Sequence, residues 1–345
     1  MSDEKLRFAC DYMEGAHEKI LERLVETNRL KSVGYGADEF TQSAIAKIRA
    51  ACADDKAAVY LLVGGTQTNA TVIDALLKPY QGVISADSGH INVHEAGAIE
   101  AGGHKVLSIK GKWGKLSARD VEARLKSYRM DVTRDHMVMP GMVYISQPTE
   151  YGTLYSLSEL EALSAVCRQY KIPLYVDGAR LAYALACPEN DVTLSDLARL
   201  TDAFYIGGTK CGALFGEAVV FPGGRQPDHF FTLVKQHGAL LAKGRINGIQ
   251  FDTLFTDNLY ERIGKTAIDA AQRIRAALVQ KGYELGIPSP TNQIFINISN
   301  EKLEKLDEKL ELDRFEPIDE HNTVARIATS WATTDAQVDA LISCL

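Results

Sequence analysis

Lys210 stands where an apolar run stops, in Tyr205-Ile206-Gly207-Gly208-Thr209-Lys210-Cys211-Gly212. A run such as Ala203 to Ile206 reads as a buried strand, so the lysine is delivered at a strand's carboxyl edge, where open α/β sheets carry out chemistry. An amine drawn out of water there has its pKa lowered, becomes nucleophilic and condenses with a carbonyl to form a Schiff base. A surface lysine after a turn is the bland reading, and it fits any lone lysine better. The company Lys210 keeps has to decide.

Val63-Gly64-Gly65-Thr66-Gln67-Thr68-Asn69 runs from a strand into two glycines and then opens a helix. Backbone N–H groups at such a turn approach an anion closely and the helix dipole favours it, so Gly65, Thr66 and Gln67 read as a phosphate cup, a plain tight turn being the alternative. Leu174-Tyr175-Val176-Asp177-Gly178-Ala179-Arg180 is a second strand end, and its aspartate is of the type that pairs with a protonated pyridine nitrogen. Arg180 adds a positive charge for a ring oxygen or a carboxylate; a helix N-cap is the competing reading of Asp177. In Asp87-Ser88-Gly89-His90-Ile91-Asn92-Val93-His94-Glu95, the His90 imidazole suits both stacking on a pyridine face and proton transfer, while His94 receives no role. A carbonyl, a pyridine ring and a phosphate together describe pyridoxal 5'-phosphate, the obvious partner for Lys210.

The elements that must position these groups are legible from Ala57 onward, where short apolar runs alternate with helical patterns. Strands are expected at 58–63, 82–85, 105–108, 142–146, 173–177, 203–207 and 217–221, with helices at 68–77, 117–127 and 158–170. This makes a large α/β domain with a mostly parallel seven-stranded sheet, assigned to 36–245. From Gly244 to Lys281 the chain is almost entirely helical, and beyond it a smaller α+β domain, 246–345, is expected. It has strands at 293–298, near 315–318 and at 323–329, and helices at 301–310 and from Asp335. The first 35 residues carry one helix, about 16–27, no strand of their own, and form an arm that packs on one domain.

At 345 residues, with 46% hydrophobic residues and a net charge of −7, the chain is an ordinary globular protein without the basic footprint of a nucleic-acid or anionic-membrane binder. Met1-Ser2-Asp3-Glu4-Lys5 has no apolar leader, and no run approaches the ~20 apolar residues that cross a bilayer, which gives a cytoplasmic expectation. The six cysteines lack zinc or disulfide spacing, so no metal site is expected.

In this order, Gly65-Thr66, the His90 to Glu95 block followed by Ala96-Gly97, Asp177-Gly178-Ala179-Arg180 and Lys210 resemble the threonine aldolase and β-eliminating lyase family of fold-type I (aspartate-aminotransferase-like) pyridoxal-phosphate enzymes, low-specificity L-threonine aldolases most of all. The resemblance runs from about Phe8 to Thr334. It implies that Arg326, in Val324-Ala325-Arg326-Ile327-Ala328-Thr329-Ser330-Trp331, grips the substrate carboxylate as a bidentate guanidinium does. It implies that Arg245 reaches the cofactor phosphate or the mouth of the site, and that Phe8-Ala9-Cys10-Asp11 enters the site. Two positions depart from the pattern. Cys10 stands where threonine aldolases usually have serine, and Gln147 takes the place of a loop histidine, where it can hydrogen-bond a substrate hydroxyl but cannot take its proton.

The reaction so implied is retro-aldol cleavage of a β-hydroxy-α-amino acid to glycine and an aldehyde, with Lys210 displaced by the substrate amine, Arg326 and Arg180 holding the carboxylate, and His90 as base. The alternative is β-elimination from a serine- or cysteine-type amino acid, with Lys210 taking the Cα proton. A nicotinamide dehydrogenase lacks its glycine-rich fingerprint here, and a non-catalytic regulatory module lacks a DNA-reading element. The family also implies a homodimer or homotetramer with the active site at the dimer interface.

Overall fold

The computed structural model describes residues 5–345, so the expectation for the first four residues lies outside the described residues. All seven strands of the large sheet are present: β1 (Ala58–Leu62), β2 (Gln81–Ala86), β3 (Lys105–Ile109), β4 (Met139–Ser146), β5 (Leu174–Asp177), β6 (Ala203–Gly207) and β7 (Glu217–Phe221). They lie in the order β1-β7-β6-β5-β4-β2-β3. Only β7 runs against its neighbours, β6 and β1; the other pairings are parallel.

Both faces of this sheet are covered, which is why its strands read as unbroken apolar runs. In β6, Phe204 and Ile206 enter one core while Ala203 and Tyr205 enter the other. Val143 and Ile145 against Met142 and Tyr144 split in the same way in β4. One face carries helices Glu39–Ala51 (α2) and Leu157–Tyr170 (α4), the other helix Gly65–Leu76 (α3). Ser156 caps α4 through a reciprocal capping box with Glu159. Helix α2 is absent from the expectations above, although Asp38 caps it through the Thr41 N–H and Thr41, Ala44 and Ile48 form its buried stripe.

The second sheet is antiparallel. Gln293–Ser299 (β8), Asp313–Pro317 (β9) and Asn322–Ala328 (β10) stand in the order β9-β10-β8, followed by the two-residue strand Glu284–Leu285. The helical stretch after Gly244 is two helices, Arg245–Leu254 (α5) and Leu259–Gln280 (α6). The core of the large unit does not end at 245: Phe251 and Leu254 of α5, and Leu259 through Ile268 of α6, pack into it. Ala270, Ala271, Ile274 and Leu278, further along α6, face the core of the small unit. One helix therefore belongs to both units, which moves the physical division into α6.

The amino-terminal arm contains helix Glu18–Thr27 (α1) and touches both units instead of one. Ile20 lies in the large core and Phe8 in the small one. Leu6–Arg7 also forms a short parallel pairing with Leu310–Glu311, a strand the sequence did not announce.

Candidate active site

Strands β5 and β6 end side by side, and their ends are locked together. The Gly207 N–H donates to the Gly178 carbonyl at 3.0 Å, and a Cβ on Gly178 would lie 2.0 Å from the Tyr205 carbonyl oxygen. Only glycine allows that crossing. It sets Asp177 and Lys210 on one inner cavity of about 270 Å³, whose lining also includes Gly65, Thr66, His90 and Arg180.

Asp177 accepts from the Tyr205 hydroxyl (2.5 Å) and Ala179 N–H (3.0 Å) on Oδ1, and from the Tyr144 hydroxyl (2.7 Å) and Asn69 Nδ2 (3.0 Å) on Oδ2. Burial by itself favours the neutral acid, yet the charge of His90 and the hydrogen bonds from Tyr205, Tyr144 and Asn69 hold the carboxyl below its ordinary range. The result is a fixed anion at the cavity. Lys210 moves the other way: burial, reinforced by the Arg180 guanidinium, depresses its pKa against the pull of Asp11, Asp177 and Glu217. A depressed amine is what a lysine needs in order to act as a nucleophile.

His90 opens a short helix, His90–Val93, just after β2. Its Nδ1 is 2.7 Å from Glu95 Oε1, which also receives Asn69 Nδ2 at 2.7 Å, so the carboxylate fixes the ring and leaves Nε2 for the cavity. Its backbone N–H donates to Glu150 Oε1 at 2.9 Å, and the Ser146 hydroxyl donates to the same oxygen at 2.7 Å. Glu150 lines both the inner cavity and an outer one of about 1110 Å³ that opens beyond it.

The arm supplies Asp11 and Tyr12. Asp11 receives Arg180 at both oxygens, Nε at 2.6 Å and an Nη at 3.0 Å, and Asn292 Nδ2 at 2.9 Å. Although burial opposes it, Arg180 and Lys210 bring the Asp11 pKa down to about 2. Tyr12 lines both cavities, with Lys210 Nζ 5.5 Å from its ring centroid. Arg326 projects from β10 into the outer cavity. Its guanidinium donates to Gln293 Oε1 (2.9 Å) and the Ala9 carbonyl (3.2 Å) and pairs with Asp313 at 2.8 Å, while its buried Nε has no partner.

Four expected residues are not brought to the cavities. Gln147 is turned into the core because its amide is spent on Tyr155, donating to the carbonyl at 3.1 Å and accepting from the N–H at 2.9 Å. The loop presents Glu150 instead. Strand alternation carried that signal: Tyr144 and Ser146 point toward the site, so the next residue points away. Cys10 lies against Tyr12 but lines neither cavity. Gln67 bridges the Val63 N–H and the His237 carbonyl. Arg245 is held by the carbonyls of Thr27, Asn28 and Leu30 at the end of α1. The hydroxyls of Tyr144 and Tyr205, the amide of Asn69, and Tyr12, Glu150 and Glu217 were all missed, and Asp11 was read only as part of the segment that enters the site, because a side chain inside an apolar run, a loop or an arm shows its partner only in three dimensions.

The residues present fit a phosphorylated pyridine aldehyde. Gly64, the N-cap of α3, makes no side-chain cap and has open space where a Cβ would stand, so the first N–H groups of the helix are left to an anion. An ionised carboxylate for a ring nitrogen, a depressed lysine for the aldehyde and an unpartnered arginine Nε for a carboxylate complete the set.

Aspartate aminotransferase from Thermus thermophilus superimposes with a TM-score of 0.70 over 99% of this chain and 91% of its own, at 14% identity. Threonine aldolase from Leishmania major is 40% identical, with a TM-score of 0.94 over 98% of this chain and 97% of that one. The low specificity L-threonine aldolase of Pseudomonas aeruginosa is 32% identical over 316 residues, 89% of this chain and 88% of its own length. Fold and site thus define a fold-type I pyridoxal-phosphate enzyme. A profile of the beta-eliminating lyase family matches residues 9–330, and the chain belongs to that family.

Proposed function

We propose that this enzyme cleaves a β-hydroxy-α-amino acid of the L-threonine or L-allo-threonine type to glycine and an aldehyde by breaking the Cα–Cβ bond. The observation that carries the reading is the convergence of Lys210, Asp177, His90 and Arg326 on two adjoining cavities, in a chain with full-length threonine aldolase relatives. Bound there, pyridoxal 5'-phosphate supplies a carbonyl for the substrate amine and an electron-poor ring that accepts the electron pair released at Cα.

The chain's own residues do the rest. The first turn of α3, with Gly65, Thr66 and Thr209, would hold the phosphate. Asp177 would keep the ring nitrogen protonated, since its charge is fixed by four donors. His90, its imidazole fixed by Glu95, would support the ring. Arg326, anchored by Gln293, Ala9 and Asp313 where it lines the outer cavity, would receive the substrate carboxylate on a guanidinium already fixed in place. Arg180, neutralised by Asp11, orders the arm over Lys210.

Supplied with pyridoxal phosphate, the purified protein is expected to show a visible absorption band that Lys210→Ala abolishes, and to convert L-threonine, L-allo-threonine or phenylserine to glycine and aldehyde. Pyruvate and ammonia from serine or cysteine derivatives, with no glycine, would replace this reading by β-elimination.

Two coarser properties follow. Leu21, Val25, Leu30, Val33 and Tyr35 expose apolar surface along α1 and the segment after it, consistent with a dimer or tetramer formed through the arm, which sedimentation measures. The six cysteines are free and no described helix is long and apolar enough to cross a membrane, which supports a cytoplasmic setting.

A further inference from the structure

We propose that Glu150, not His90, is the group that takes the substrate's β-hydroxyl proton. The proposal rests on the retro-aldol reading above. Three carboxylates line the inner cavity: Asp177, Glu217 and Glu150. Asp177 uses both oxygens on four donors. Glu217 uses both as well, on the Thr209 hydroxyl at 2.8 Å and the Gly208 N–H at 3.1 Å. The hydrogen bonds Glu150 accepts from other residues, the His90 N–H and the Ser146 hydroxyl, are both on Oε1. No other residue donates to Oε2, on a side chain pinned at its other oxygen.

The position of Glu150 fits the task. It lines the inner cavity together with Lys210 and Asp177, and the outer one together with Arg326. A substrate whose amine is at Lys210 and whose carboxylate is at Arg326 has its Cα between them and its β-carbon one bond away, and Glu150 is the carboxylate that borders both cavities. His90 has one ring nitrogen committed to Glu95, which leaves it a single nitrogen for any proton transfer. Burial also holds the Glu150 carboxyl above the ordinary carboxylate range, against the hydrogen bond from Ser146, bringing its basicity closer to that of a general base at neutral pH.

The step balances as follows. The hydroxyl proton passes to Glu150 Oε2, the O–H electron pair becomes the second bond of the aldehyde carbonyl, and the Cα–Cβ pair stays with Cα. Cα then takes a proton from Lys210 to complete glycine. Glu150 releases its proton to the water of the outer cavity, and Lys210 regains one from solvent, so threonine gives glycine and acetaldehyde with no net gain or loss of protons.

Glu150→Gln tests this, because an amide oxygen still accepts from His90 and Ser146 but cannot take a proton. Pyridoxal phosphate affinity, read from the visible band, and glycine affinity, read from the spectral change glycine induces, are expected to stay within about threefold of wild type. L-Threonine turnover is expected to fall at least about 100-fold, and the acid limb of the kcat profile to disappear. Turnover above about one tenth of wild type with the acid limb intact would overturn the proposal. So would loss of cofactor or glycine binding in proportion to turnover, since Glu150 would then be only a pin for the loop. If the wild-type enzyme itself forms no glycine and aldehyde, the retro-aldol reading fails before the variant is read.

Discussion

Asp177 and Glu217 are two buried carboxylates at one cavity that the structure drives in opposite directions. Four donors keep Asp177 charged, and an asparagine in its place would keep the shape but present an NH2 to donors and no charge to the ring nitrogen. Asp177→Asn is expected to weaken pyridoxal phosphate binding about tenfold by titration and to cut threonine turnover about 100-fold or more. Glu217 is pushed up to about 8 by burial, so the folded enzyme keeps a proton at pH 7 that the unfolded chain releases. Stability at this site is therefore complete below the ordinary glutamate pKa and is lost as pH rises from there to about 8. Relative to Glu217→Gln, the wild-type apoenzyme is expected to lose stability on the order of a few kcal/mol between pH 5 and 8, which paired denaturation curves at several pH values measure. At this scale the sequence told strand-end residues apart from the rest. Lys210 and Asp177 were legible because an apolar run stops at each, whereas Glu150 sits in a loop, where no periodicity says which side chain turns inward.

Every strand of the large sheet was readable, because strands buried on both faces leave continuous apolar runs, and β6 and β7 were read to the residue. Short helices such as Leu181–Leu185 and Leu194–Leu200 went unseen, since a turn or two of helix carries too few periods to stand out. Helix ends hold a second lesson in Arg245. Three carbonyls at the end of α1 and just beyond it are satisfied by that one guanidinium, and the basic Lys243-Gly244-Arg245 stretch gave no hint of the partner. Arg245→Ala is expected to cost about 1–3 kcal/mol of stability and to leave pyridoxal phosphate affinity within about threefold. A large loss of affinity with unchanged stability would instead return Arg245 to the phosphate.

Across the whole molecule, α6 shows why the domain boundary could not be read. Its buried positions continue without interruption from Leu259 to Leu278, and only the core they face changes midway. Periodicity records that a face is buried and not what buries it. The arm repeats the point: one host was expected for it, and it packs on two. Phe8 packs in the small unit, the Ala328 N–H donates to the Phe8 carbonyl at 2.8 Å, Asp11 holds Arg180, and Ile20 packs in the large unit. Between these anchors Met13, Glu14 and Gly15 are exposed.

That arrangement makes residues 5–12 equivalent to a docked peptide joined to the rest by a short exposed tether. Cut at the tether, the two pieces should behave as a split enzyme. A chain beginning at Met13 leaves the Arg180 guanidinium without Asp11 beside Lys210, and it is expected to be nearly inactive. A synthetic peptide ending at Tyr12 should restore activity along a saturable curve, and the same peptide carrying Asp11→Asn should not. Reconstitution would turn the segment that carries Asp11 into a dose-controlled switch.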